Sequence, residues 1–320
     1  MKLFRSLVVG IAAIFAASGA ALAQGAYPSQ MVKIVVPFSA GSITDNLARI
    51  LADKLGDMWK QPVIVENRPG LPGTTAVAKS TPDGYTLLLT SNGHTIAGAI
   101  NKGLQFDPVK DFAGISQIAN VPMVMIVPPD LPAKSLKEFI AMAREKPGQV
   151  NFSSAGVAST SFLSAEIMRQ NAHLNMVHVP YKGPSEAVMA VIRGEAQMYF
   201  APIPTAQELG KAGQVRVMAI NSNMRMPQLP DTPTVAEAGI PNFRYVTWFG
   251  MMAAAGTPKP ILDKVSKDIA TVLAIPDVKE KLELQGSFPA PTTPGEFDAI
   301  IKDDTERYGK ILRDAGVGSN

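Results

Sequence analysis

Ser39, Ser42 and Thr44 set three hydroxyls around Gly41 and beside Asp45 in the stretch Val36-Pro37-Phe38-Ser39-Ala40-Gly41-Ser42-Ile43-Thr44-Asp45, where a strand pattern ends and a helix pattern begins. The chemistry that suits them is anion binding. The first N–H groups of a helix have no intrahelical partners and carry partial positive charge, so a carboxylate or phosphate is favoured there. Gly41 permits close approach of backbone to ligand, and the hydroxyls add donors. Asp45 competes for the same N–H groups, and the stretch reads equally as a well-capped βα loop. Residues 151–161 repeat the pattern: a strand, Ser154-Ala155-Gly156, then Ser159, Thr160 and Ser161 opening a helix. Two such loops facing each other across a cleft would clamp one anion, in the crevice at strand carboxyl ends where α/β proteins hold ligands.

Reactive constellations are scarce. There is no Gly-x-Ser-x-Gly elbow, no Gly-Lys-Ser/Thr phosphate loop, no paired-glycine dinucleotide fingerprint and no cysteine nucleophile. The three histidines, His94, His173 and His178, form no i, i+4 zinc pair. No metal, cofactor or catalytic residue is expected. His178 reads as a structural histidine in a strand and His173 as a helix-end residue. Ser91 and His94 flank Asn92-Gly93 past a strand end and reach toward the cleft, with ordinary loop structure as the competing reading. Lys182, directly after a strand, either pairs with the ligand's charge or is a solvated loop lysine. Tyr85 and Trp248 read as packing.

The elements that must position these groups alternate. Strand patterns at 31–37, 63–66, 85–90, 123–127, 150–153, 176–179, 196–200 and 215–220 are interleaved with helix patterns at 43–58, 136–145, 161–170 and 185–193. Two more helices follow at 261–273 and 296–312. This is α/β grammar, and unbroken apolar strands suit a sheet covered on both faces. In the last helix Phe297, Ile300, Ile301, Tyr308, Ile311 and Leu312 recur at helical spacing and mark a core stripe. Pro-rich breaks at 128–132 and 226–233 are expected near the crossings between two lobes. Lobe 1 is then 24–129 plus 226–320, and lobe 2 is 130–225.

Lys2 and Arg5 ahead of an apolar run that ends Ala21-Leu22-Ala23 predict a signal peptide over 1–23, with an uncleaved N-terminal anchor as the alternative. Loss of Lys2 and Arg5 lowers the formal net charge from +3 to +1. The remaining charges are scattered and not gathered into the basic stripe of a nucleic-acid binder. With no cysteine, disulfides and lipid attachment to an N-terminal cysteine are excluded. A monomer free in the periplasm is expected.

Several long motifs, in order over nearly the whole mature chain, resemble the receptor proteins of tripartite tricarboxylate transporters, the Bug family. They are residues 36–45, Glu66-Asn67-Arg68-Pro69-Gly70, Pro82-Asp83-Gly84-Tyr85-Thr86-Leu87, residues 179–183, residues 231–239, and Trp248-Phe249-Gly250 with Ala255-Gly256-Thr257-Pro258. The resemblance implies a two-lobed type II periplasmic-binding-protein fold, a Venus flytrap with a hinge and an interlobe cleft. It also implies a small organic carboxylate as ligand, a dicarboxylate or aromatic acid foremost, and membrane transporter subunits as partners. Carried over by motif, the ligand-binding residues are Phe38, Ser39, Ala40, Ser42, Thr44, Ser154, Ala155, Ser159 and Thr160, beside Asp45, Ser91, His94 and Lys182. Two positions depart from the family pattern: Ser42 replaces a frequent glycine, and Ala201 stands where many members carry an acid. Ala201 is taken as ligand-facing, and loss of the acid argues against a ligand bearing an ammonium group. A ligand-presenting partner of a membrane sensor and a carboxylate-modifying enzyme are the rival readings.

Overall fold

The structure, a computed structural model, describes residues 27–101, 103–156, 159–241, 243 and 245–317. The expected signal peptide lies outside them. The chain begins β1 (Val32–Val36), α1 (Ile43–Trp59), β2 (Val63–Asn67), α2 (Leu71–Ala78), β3 (Thr86–Ser91), α3 (Gly93–Ile100) and β4 (Phe112–Val121). A second stretch runs β5 (Met123–Val127), α4 (Leu136–Glu145), β6 (Asn151–Ser154), α5 (Thr160–Asn171), β7 (Val177–Pro180), α6 (Pro184–Ile192), β8 (Tyr199–Pro202), α7 (Ile203–Lys211) and β9 (Arg216–Ile220). The chain closes with β10 (Thr247–Ala254), α8 (Lys259–Leu273), α9 (Pro276–Leu284), β11 (Phe288–Pro289) and α10 (Pro294–Asp314).

These strands sort into two lobes. The first holds a six-stranded sheet in the order β11-β4-β10-β3-β1-β2, with β1 parallel to β2 and β3 and β10 antiparallel to both β3 and β4. Its face buries Val32, Ile34 and Val36 against Leu47, Leu51 and Leu55 of α1 and Val265 and Ile269 of α8. Those helical residues recur every three or four positions, so each helix turns one apolar stripe to the sheet. The second lobe holds β8-β5-β9 and the parallel pair β6-β7. A bridge between Phe152 and Met198, with the Ser153 N–H donating to the Met198 carbonyl at 3.0 Å, joins them into one layer.

The crossings fall at other points than the Pro-rich breaks. Val121 closes β4 in the first sheet and Met123 opens β5 in the second, so the chain changes layer at Pro122, whose missing N–H cannot continue the ladder. Met123–Val127, expected in lobe 1, therefore belongs to the second layer. The return is also later than 226: Ile220 donates to the Pro233 carbonyl, and Val235, Ile240 and Phe243 pack in the core cluster of Phe139 and Phe152. The first crossing is tied to the end of β9, because the Met123 N–H donates to Asn221 Oδ1 (2.5 Å) and the Asn221 N–H to the Met123 carbonyl (2.9 Å).

Helix α10 braces both lobes. Thr293 and Glu296 close a capping box at its start, Phe297 and Ile301 pack with Trp248 and Met252 of lobe 1, and Tyr308 and Leu312 join the cluster of Met125 and Phe162 in lobe 2. Over strand β10 the helix comes so close that a Cβ on Gly250 would lie 2.0 Å from Phe297 Cζ. No described helix is long and apolar enough to cross a membrane.

Candidate functional site

A cavity of about 380 Å³ lies between the lobes, walled by Pro37 and Phe38 at the end of β1, by residues 90–94 at the end of β3, and by Ser159, Thr160 and Leu163 of α5 from lobe 2. Its size is that of a small-molecule site. Phe38, Leu71, Ala97, Phe106 and Leu163 supply apolar wall, and Thr74, Thr90, Ser91, Asn92, Ser159 and Thr160 supply polar groups. No Asp, Glu, Lys or Arg lines it among the described residues.

Three helices begin at this cavity, because Gly70, Asn92 and Ser159, the caps of α2, α3 and α5, all line it. Ser159 caps its own helix, its Oγ accepting the Phe162 N–H at 3.2 Å. Gly70 and Asn92 make no side-chain cap, and at α3 only a long 3.4 Å bond from the Gly93 N–H to Ser91 Oγ engages the helix start, so the N-terminal polarity of both helices is turned toward the cavity. An anion in the cavity would meet neutral donors and helix dipoles from both lobes, not a fixed cation.

Asn92 is fully buried, its amide donating to the Tyr245 hydroxyl at 3.2 Å. His94 is buried between aromatic rings, parallel to Phe106 at 5.8 Å and edge-on to Phe112 at 4.7 Å between centroids. Its Nε2 lies 2.8 Å from the Pro108 carbonyl. Burial pulls the imidazole down to about 4 despite that bond, so the ring is neutral at physiological pH.

Of the residues singled out in the sequence, Phe38, Ser91, His94, Ser159 and Thr160 meet at this cavity. The others do not line it. Ser39 and Ala40 are exposed, and Ser42 caps α1 by accepting the Asp45 N–H at 3.2 Å. Thr44 and Asp45 are buried behind the loop. The Asp45 carboxylate accepts from the Gly41 N–H (2.8 Å), Arg49 Nε (3.0 Å) and Asn67 Nδ2 (2.9 Å), so the loop satisfies its own donors. Burial alone would push this carboxyl up, but the bonds from Arg49, Gly41 and Asn67 outweigh it and hold it below its ordinary value. Asn67 also donates to the Phe38 carbonyl at 3.2 Å, so Asp45 acts on the cavity wall through Asn67.

Ser154 is bound to His178 Nε2 at 2.7 Å, and the Ala155 N–H donates to Ser161 Oγ at 3.1 Å, so both groups are committed within lobe 2. Lys182 is exposed away from the cavity. Ala201 is fully buried in β8, paired with Val124 and packed with Tyr199. Sequence reasoning passed over Gly70, Leu71, Thr74, Asn92 and Gly93. Their signal was the same strand-to-helix turn, written with Gly-Leu-Pro and Asn-Gly instead of a row of hydroxyls.

The chain matches the tripartite tricarboxylate transporter family receptor, TctC, over residues 47–317. BugT of Bordetella pertussis is 34% identical over 317 residues, 97% of either chain. The solved structure of R. palustris Rpa4515 with adipate superposes with a TM-score of 0.74 at 29% identity, covering 91% of this chain and 99% of that one. MatC (Rpa3494) from Rhodopseudomonas palustris with bound malate gives 0.70 at 29% identity, covering 89% and 100%. With its two-lobed α/β architecture and a match over most of its length, the chain belongs to the tripartite tricarboxylate transporter family of receptors.

Proposed function

We propose that this chain is a periplasmic receptor that takes up a small organic carboxylate between its lobes, leaves it chemically unchanged, and presents it to the membrane subunits of a tripartite tricarboxylate-type transporter. The observation that carries the reading is the uncharged cavity lined by the caps of three helices from both lobes. Such a wall stabilises an anion through N–H groups and hydroxyls. The adipate and malate in the two similar structures support a carboxylate as the anion.

Capture follows from the two-lobe arrangement. A carboxylate held by Ser91 and the α3 start on one side and by Ser159 and Thr160 on the other binds the closed form better, and that difference shifts the population toward closure. Pro122 and the return into β10 at Thr247 are the segments about which the lobes turn. Phe38 and Leu163 close over the ligand's carbon chain. The segment led by Lys2 and Arg5 directs export and is cleaved after Ala23, leaving a soluble monomer.

The test is thermal unfolding of mature protein that has been unfolded and refolded to strip carried ligand, against dicarboxylates, tricarboxylates, aromatic acids and amino acids. A ligand at ~1,000 times its Kd adds about 4 kcal/mol to stability, a shift of several degrees for a chain of this length. Stabilisation confined to one class of acid is the expected result. Folded protein whose unfolding temperature no acid moves would refute the carboxylate reading.

A further inference from the structure

We propose that the receptor selects carboxylates that also carry a hydroxyl group, and that His94 recognises this hydroxyl by accepting its hydrogen bond at Nδ1. The proposal rests on the carboxylate reading above and adds a second functional group to the ligand.

The protonation of His94 follows from its neighbour. The Pro108 oxygen, 2.8 Å from Nε2, is a carbonyl that only accepts, so Nε2 carries the hydrogen. In the neutral ring the lone pair then sits at Nδ1. Nδ1 is buried, its ring lines the cavity, and it has no partner among the described residues. Asn92 Oδ1, in the same wall, is a second buried acceptor without a partner among them. A buried acceptor left unpaired is destabilising, so this wall calls for a donor.

The donor is not a carboxylate, whose oxygens carry no hydrogen and would meet the Nδ1 lone pair acceptor against acceptor. Nor does the ring turn itself into a donor by taking a second proton. It is packed between Phe106 and Phe112, burial holds it down to about 4, and among the described residues no carboxylate lines the cavity to steady an imidazolium. An ammonium group would donate, yet the same lack of carboxylates leaves it without a counter-charge. A hydroxyl donates without bringing charge, and it suits a cavity that already holds the ligand's anion with neutral groups. A site built to bond a hydroxyl rejects the analogue that lacks one, because the buried partner is then left unpaired.

Titration calorimetry on the refolded mature protein with matched pairs tests this: succinate and malate, glutarate and 2-hydroxyglutarate, benzoate and 4-hydroxybenzoate, with aspartate and glutamate alongside. In the pair that fits, the hydroxy acid is expected to bind at least about tenfold tighter. His94→Phe keeps the stacked ring and removes both ring nitrogens; it should erase that preference, bringing the hydroxy acid to within about threefold of its deoxy partner in the same variant. Should that variant not fold, the ¹⁵N resonance of His94 Nδ1 in the unaltered protein serves, and it should move with the hydroxy acid and stay with the deoxy acid. Equal affinity within every pair, a preference surviving in His94→Phe, tighter binding of the amino acids, or uptake of a proton on binding near pH 7 would each overturn the proposal. If no acid of any kind binds, the carboxylate reading itself fails, an outcome distinct from loss of the hydroxyl preference.

Discussion

Asp45→Asn tests whether the first loop is held by its own carboxylate. In the native loop Oδ2 accepts from the Gly41 N–H and Arg49 Nε, and Oδ1 accepts from Asn67 Nδ2. An asparagine amide keeps one oxygen, so whichever way it turns at least one of these bonds is replaced by two donors facing each other. A hydrogen bond to a buried charged group contributes about 1.5–3 kcal/mol. The ion pair adds little, because the Arg49 side chain is half exposed and screened. The deficit at neutral pH should be about 2 kcal/mol, or roughly 3 °C in Tm for a chain of this length. Its pH dependence has a defined sign. The folded carboxyl lies below its ordinary value, so its stabilisation is complete above the unfolded pKa, about 4, and is lost as pH falls through the folded value. His94, neutral when folded, destabilises the native state as pH falls below about 6.5, but wild type and variant share it and it cancels in their difference. Urea unfolding of both proteins at pH 7, 4 and 3 should show a gap that is open at 7 and narrows in acid. A variant within about 0.5 kcal/mol of wild type at pH 7, or a gap that acid leaves unchanged, would refute the reasoning.

Gly250→Ala should destabilise by about 1–3 kcal/mol, because its Cβ would sit 2.0 Å from Phe297 Cζ and the ring, set edge-on against Trp248 at 5.1 Å, must retreat. Urea unfolding measures the loss, and adding Phe297→Leu should recover part of it. Ser159→Ala removes the cap of α5 at about 1 kcal/mol in unfolding experiments and, because Ser159 lines the cavity, should weaken ligand binding as well. Lys182→Ala, exposed outside the cavity, should leave ligand affinity within about twofold in calorimetry.

Most strands and the long helices were legible from their apolar patterns, whereas β4 had no counterpart among the strand patterns read. The patterns at 136–145 and 123–127 coincide with α4 and β5, and the stripe from Phe297 to Leu312 is the buried face of α10. Strand β10 was not legible. Trp-Phe-Gly-Met-Met-Ala-Ala has no alternation to betray a strand buried along its whole length, and Gly250 answers to a ring that arrives 47 residues later in sequence. The lobe crossings were misplaced for a related reason: proline runs report local backbone chemistry, whereas layer membership is decided by which strand pairs with which. At the site, hydroxyl-rich loops drew attention because capping residues and ligand donors are the same residue types. Where the hydroxyls satisfy their own helix, as at Ser42 and Asp45, the signal reports a cap; Asn92 and Gly70 leave their helices uncapped and carry no comparable mark.

The place of β10 in the first sheet bears on how the molecule is made. It lies between β3 and β4, so until Thr247 has been synthesised the parallel strands β1–β3 and the long β4 have nothing to join them. At about 5–20 residues per second, translation from β1 to β10 takes roughly ten to forty seconds, during which one edge of β3 and both edges of β4 lie unpaired. The second lobe has all its strands by Ile220, but its core is completed only by Tyr308 and Leu312 near the chain's end. Neither lobe can finish on the ribosome ahead of the last helix. Such a delay leaves apolar surface and strand edges of the growing chain exposed until the last helix is made.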